Sequence, residues 1–150
     1  MQIFKTTCMK KLYTVPLLLC FLFFFFGCSK DFLKSYERRM IGTWKVTDID
    51  RFGIGSSHNL PFPENGIFTF SGDGQLSYNE TGRNFSGSWD LRKEYRDDDG
   101  RRSLQITAID FTNQDVRSEF FNEVVFTGTD RFKAFIYSGT RTYAYHFRRQ

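Results

Sequence analysis

Beyond residue 28 this chain has no cysteine. Cys8, Cys20 and Cys28 are the whole complement. The remaining sequence therefore offers no thiol for a disulfide, a thiolate nucleophile or a cysteine-bound metal. Proline is scarce, limited to Pro16, Pro61 and Pro63. Histidine is scarcer, with only His58 and His146, which leaves little for imidazole-based catalysis or ligation. An excess of positive charge is also missing. The 21 Lys and Arg face 17 Asp and Glu, but Lys5, Lys10 and Lys11 sit in a leader-like segment, leaving 18 against 17. That balance removes the main support for nucleic-acid binding. No apolar run is long enough to span a bilayer. The longest, Leu12 to Phe26, has 15 residues, short of the ~18–20 a spanning helix requires. What the chain has in quantity is aromatic: 13 Phe, 6 Tyr and both Trp follow residue 27.

The N-terminus has a positive region, an apolar core broken by Pro16, and the close Gly27-Cys28-Ser29. This is the layout of a removable export signal. It resembles a bacterial lipoprotein signal, in which a small residue precedes a cysteine that is acylated and becomes the new N-terminus. The resemblance implies a signal peptide over 1–27, lipidation at Cys28, and a tether with a short helix over 28–41. Anchoring would be through the acyl chains, with no spanning helix. By the same resemblance, Ser29 rather than Asp after the anchor implies the outer membrane, on its periplasmic or cell-surface side. Ser29-Lys30-Asp31 resembles the export tags of Bacteroidota lipoproteins. The 123 residues after position 27 suffice for one domain with a core of its own.

From Asp31 to Ile41 a short helix is expected, with Asp31 as N-cap and Phe32, Tyr36 and Met40 on one stripe. After Gly42 the apolar period falls to two, the mark of strands with one buried face. Strands are expected over 43–50, 67–71, 75–80, 84–92, 102–110, 119–128, 131–138 and 141–149. Gly and Asn punctuate the turns, as in Ser71-Gly72-Asp73-Gly74, Thr81-Gly82-Arg83-Asn84 and Ser138-Gly139-Thr140, where positive φ is wanted. Asp97-Asp98-Asp99-Gly100 reads as a solvated hairpin turn. Its EF-hand register fails, because Tyr95 and Ile106 would stand at ligand positions. Eight antiparallel strands with one apolar face must pack as a sandwich or close into a barrel.

Gly42-Thr43-Trp44 opens the first strand directly after the helix, and Phe68-Thr69-Phe70-Ser71-Gly72-Asp73-Gly74 and Gly87-Ser88-Trp89 follow. With seven further strands, these residues resemble small lipocalin-like (calycin) lipoproteins of Bacteroidota, over roughly residues 36–149. The resemblance implies an all-β fold, an eight-stranded antiparallel up-and-down barrel over 42–150, lipocalin-like, with the short N-terminal helix at one end. It also implies that Trp44 closes that end under a basic residue near the last strand, Arg148 or Arg149.

Two readings of function remain open. In one, the barrel holds a small hydrophobic or amphiphilic ligand. Its candidate wall is Phe68, Phe70, Trp89, Tyr143 and Tyr145 near the mouth, with Phe62 on the lid formed by the long loop from Arg51 to Gly66. Gly87, Ala108 and Ala134 would leave room among the bulky inward rows. In the other, aromatic side chains fill the barrel, which then serves as a scaffold for an envelope protein partner. An enzyme is not expected. Ser57-His58 adjacency is no triad, Gly53-Ile54-Gly55 fails the dinucleotide fingerprint, and no metal-ligand spacing survives. The expected partners are the membrane, through the lipid anchor, and one of these two. No nucleic acid, metal or cofactor is expected.

Overall fold

A computed structural model describes residues 35–55, 58–93 and 100–150. The signal segment, Cys28, the tether and Asp97-Asp98-Asp99 lie outside the described residues. Among the described residues a five-residue helix, α1 (Tyr36–Met40), comes first. Ser35 is its N-cap, and its hydroxyl accepts from the Arg38 amide at 3.4 Å; Asp31, expected in that role, is not among the described residues. Nine strands follow: β1 (Gly42–Gly53), β2 (Ile67–Phe70), β3 (Gln75–Glu80), β4 (Arg83–Lys93), β5 (Arg102–Asp110), β6 (Asp115–Phe121), β7 (Glu123–Phe126), β8 (Arg131–Ser138) and β9 (Arg141–Arg149). Among the described residues no helix is long and apolar enough to cross a membrane.

Every pairing is antiparallel, in the order β6-β5-β4-β3-β2-β1-β9-β8-β7. The sheet is a meander except where β1, near the start of the domain, pairs with β9 at its end. That pairing makes a nearly closed barrel. The expected sixth strand, 119–128, proves to be two. Its first part starts four residues earlier and pairs β5, from Asp110↔Asp115 to Leu104↔Phe121. Asn122 then breaks the ladder, and the second part pairs β8, from Glu123↔Phe135 to Phe126↔Phe132. At the hinge the Asn122 amide donates to the Phe135 carbonyl and its side-chain oxygen accepts from the Tyr137 amide, each at 2.8 Å. One bent strand thus shares itself between two partners. Bending removes the open edges that a flat meander would leave.

The early start of β6 was hidden by its turn, which carries no glycine. Asp110 builds it instead. Its carboxylate accepts from the amides of Thr112 and Asn113 at 3.0 and 3.1 Å, and from the Asn113 side chain at 2.7 Å. Asp side chains commonly hold turns this way, and Gln114 takes the positive φ, 53°.

Alternation places Trp44, Val46, Phe68, Phe70, Leu76, Tyr78, Phe85, Leu104, Ile106, Phe121, Phe132, Tyr143, Tyr145 and Phe147 in one buried core. In β1 the register shifts between Val46 and Asp48. This bulge turns two successive residues, Thr47 and Asp48, outward and returns Ile49 to the core, the re-aiming such insertions produce.

Candidate functional site

The barrel has two ends with different chemistry. At the first, α1 crosses the opening. The Trp44 indole is fully buried and donates to the Met40 carbonyl at 2.7 Å. Its ring meets Phe132 edge-on, with centroids 4.7 Å apart. Arg149 lies 4.2 Å over the same indole and donates to the carbonyls of Ile41 and Arg39 at 3.0 and 2.7 Å. It therefore stacks as a cation on an aromatic face while capping the last carbonyls of the helix. Arg148 points away, into solvent. Gly42 permits the arrangement. Its φ is +128°, and a Cβ there would strike the Arg149 guanidinium.

At the other end the loop after β1 folds inward. Phe62 is fully buried, with its ring edge-on to Phe68 at 5.2 Å and to Tyr78 at 5.0 Å. Polar bonds pin the loop around it. The Tyr145 hydroxyl donates to the Phe62 carbonyl at 3.0 Å, and Arg117 donates to the Pro61 carbonyl at 2.9 Å. The Tyr143 hydroxyl accepts from the His58 amide at 2.8 Å. The His58 ring meets the buried Glu119 carboxylate at 2.9 Å.

Of the six candidate wall residues, four form one chain of ring contacts, from Phe62 through Phe68 and Phe70 to Trp89. Phe62, Phe68, Phe70, Tyr143 and Tyr145 are all buried. Phe68 touches Phe62, Phe70 (6.0 Å between centroids) and Phe147 (5.6 Å), Tyr145 reaches the Phe62 carbonyl, and Tyr143 meets His58. Trp89 is not at the mouth. Its amide donates to the Gly74 carbonyl and its indole to the Ser71 carbonyl, both on the β2–β3 hairpin. That hairpin follows Phe70, which pairs Gly42, so Trp89, half-buried, and Phe70, whose rings lie 5.4 Å apart, both stand at the Trp44 end and not at the mouth. Gly87 leaves no pocket either, because a Cβ there would strike the Thr107 carbonyl of β5.

A polar network, missed by sequence reading, lines the mouth. Arg117 bridges to Glu80 at 2.7 Å, and the Tyr78 hydroxyl donates to the same carboxylate. Burial resists ionisation of Glu80, but the bonds from Arg117 and Tyr78 outweigh it and hold the carboxyl below the usual range. Burial first, then the bond to Glu80, pushes the Tyr78 phenol well up. Arg83 donates twice to Asp110, at 3.0 and 2.9 Å. Arg83 and Arg117 both lie over the Phe85 ring, at 4.9 and 4.6 Å. The available signal was the period-two row Asp115, Arg117, Glu119 and Phe121, charged at three of four inward positions. Such residues are buried only when paired. Here the pairs tie the lid to the wall.

Outside the barrel, a groove of about 390 Å³ is lined by Thr47, Thr127, Arg131, Phe132, Lys133, His146, Phe147 and Arg148. Beside it Asp48, Asp50 and His146 bring donor atoms within 4.8 Å of one another. There the His146 ring meets Asp50 at 2.8 Å. Asp48 and Asp50 share the outer face because of the bulge at Thr47. The trio is explained as a hydrogen-bonded His146–Asp50 pair with an exposed second carboxylate beside it.

Compared with known protein families, curated proteins and solved structures, the chain matches none.

Proposed function

We propose that this chain is a lipid-anchored protein of the bacterial outer membrane, carried on Cys28, whose lipocalin-like barrel is a filled, non-enzymatic scaffold. It acts through its outer surface, on the membrane or on an envelope partner. The observation that carries this reading is Phe62. The loop that would be a lid instead contributes a fully buried ring to the core, and four side-chain bonds hold it there. Space taken by Phe62, Phe68, Tyr78 and Tyr145 is not offered to a ligand.

A second reading keeps the container. Among the described residues Phe62 is the one core ring carried by a loop, so its withdrawal would free a ring-sized space between Phe68, Tyr78 and Tyr145, suited to a small hydrophobic molecule. Native mass spectrometry of the full-length protein released in mild detergent separates the two. The scaffold predicts the polypeptide mass plus the acyl groups on Cys28 alone. A further, stoichiometric small molecule would establish the container. The same spectrum tests the anchor, because Cys28→Ala should lose the acyl mass.

A further inference from the structure

The outer face of β1, β9 and β8 carries an arrangement that the fold itself does not need. Lys45 pairs with Arg148 across β1 and β9, and Arg148 pairs with Arg131 across β9 and β8. Three cations therefore stand side by side in one cross-strand row. In the next row His146 pairs with Lys133. Like charges placed directly opposite destabilise a sheet. Among the described residues Lys45, Lys133 and Arg148 have no ionic partner, and Arg131 has only a long contact to Asp130 at 3.8 Å. Among the described residues the acids nearby form no ion pair with Lys45, Lys133 or Arg148: Asp50 is engaged by His146, and Asp48 accepts from the Ile49 amide.

The groove opens on these residues. Arg131, Lys133, His146 and Arg148 line it together with Thr47 and Thr127, and no carboxylate does. Its volume, about 390 Å³, falls within the range of small-ligand sites, ~300–1,000 Å³. Guanidinium and ammonium groups beside hydroxyls are the chemistry that recognises a compact, doubly charged oxyanion. The same cations argue against a metal ion on the neighbouring Asp48, Asp50 and His146.

We propose that this groove binds a phosphate group, held by Lys133, Arg148 and Arg131 with Thr47 and Thr127 beside them. The phosphate belongs either to a lipid headgroup or to a soluble phosphate ester. The site does not depend on the anchor at Cys28.

The test uses the full-length protein in neutral maltoside micelles at low chloride. Inorganic phosphate and glycerol 3-phosphate are titrated by calorimetry, and phosphatidylglycerol is added to the micelles in a parallel arm followed by thermal unfolding. Saturable binding of the soluble phosphates marks a soluble ester. A stabilisation seen only with phosphatidylglycerol, and not with phosphatidylcholine, marks a headgroup. Either supports the site provided that Lys133→Gln with Arg148→Gln weakens it at least about tenfold, while Lys133→Arg with Arg148→Lys retains it. Among the described residues neither side chain makes a hydrogen bond or ion pair within the fold, although both backbones pair in the sheet. The double glutamine variant, relieved of like charge, should melt no lower than the parent when no phosphate is present. The proposal is overturned if neither arm responds, if chloride gives the same response, or if the glutamine variant responds as the parent does.

Discussion

Trp44 and Arg149 are the clearest case of one residue's chemistry setting another's place. The indole is buried with its N–H satisfied by Met40, and the guanidinium covers its face while holding two helix carbonyls. Trp44→Ala should lower stability by about 3–5 kcal/mol, the range for deleting a large buried aromatic. Arg149→Met should cost about 1–3 kcal/mol, since it leaves the Ile41 and Arg39 carbonyls without their donor. The double variant should cost less than the sum, because the stacking is lost only once. Urea unfolding of the four proteins measures all three; strict additivity would mean that the cation and the ring are not coupled. Asp110 gives a pH prediction at the same scale. The side-chain bond from Asn113 first, against the opposing effect of desolvation, then the amide of Asn113 and Arg83, hold its carboxyl down to about 2 from a usual 3.8. The unfolded chain therefore binds this proton more readily. The stability it contributes is complete above about pH 4 and is lost as pH falls from 4 towards 2. Asp110→Asn should flatten that part of the acid-unfolding curve, and an unchanged slope would assign the acid sensitivity to other carboxylates.

Among the elements, the loop after β1 decides between a solid barrel and a hollow one. Phe62→Ala should destabilise by about 3–5 kcal/mol, with the loss seen in both unfolding midpoint and hydrogen exchange around Tyr78 and Tyr145. A loss below about 1 kcal/mol would mean that the ring is not part of the core in solution. The loop also shows what the sequence could and could not convey. Its length, its Pro61-Phe62-Pro63 and its place at the mouth were legible, and so were the helix, the turns and seven of the eight expected strands. The direction taken by Phe62 was not, because a loop has no period from which to assign a face. The division of the expected 119–128 strand was hidden for a different reason. Asn122 is an ordinary residue locally and becomes a hinge only because β5 and β8 compete for the same strand. Trp89 was misplaced because alternation gives the face of a residue but not its height in the barrel, which depends on register. The basic row has the same origin: Lys45, Arg131 and Arg148 are each unremarkable until pairing sets them side by side.

On the scale of the whole molecule, the barrel depends on joining its ends in sequence. β1 and β9 are about a hundred residues apart, and their ladder runs from Trp44↔Arg149 to Gly53↔Arg141. Closing so long a loop has an entropic cost that must be met before the pairing stabilises anything, so folding in milliseconds to seconds is expected rather than microseconds. The two tryptophans divide this process between them. Trp89 is bonded to Ser71 and Gly74 within one local three-strand unit, whereas Trp44 acquires its cation only when β9 docks. Both stand at the same end, yet Trp89 is half-buried and Trp44 fully buried. With Trp89→Phe in the background, the emission change of Trp44 should follow the slowest refolding phase and resist acrylamide quenching in the native protein. With Trp44→Phe, Trp89 should remain open to acrylamide. If strand pairing is cooperative, as is usual for a single domain of this size, circular dichroism and Trp44 emission will share one rate constant. A Trp44 signal that completes well before the circular dichroism would mean that its pocket forms without β9. The β1–β9 ladder would then not be the step that closes the barrel.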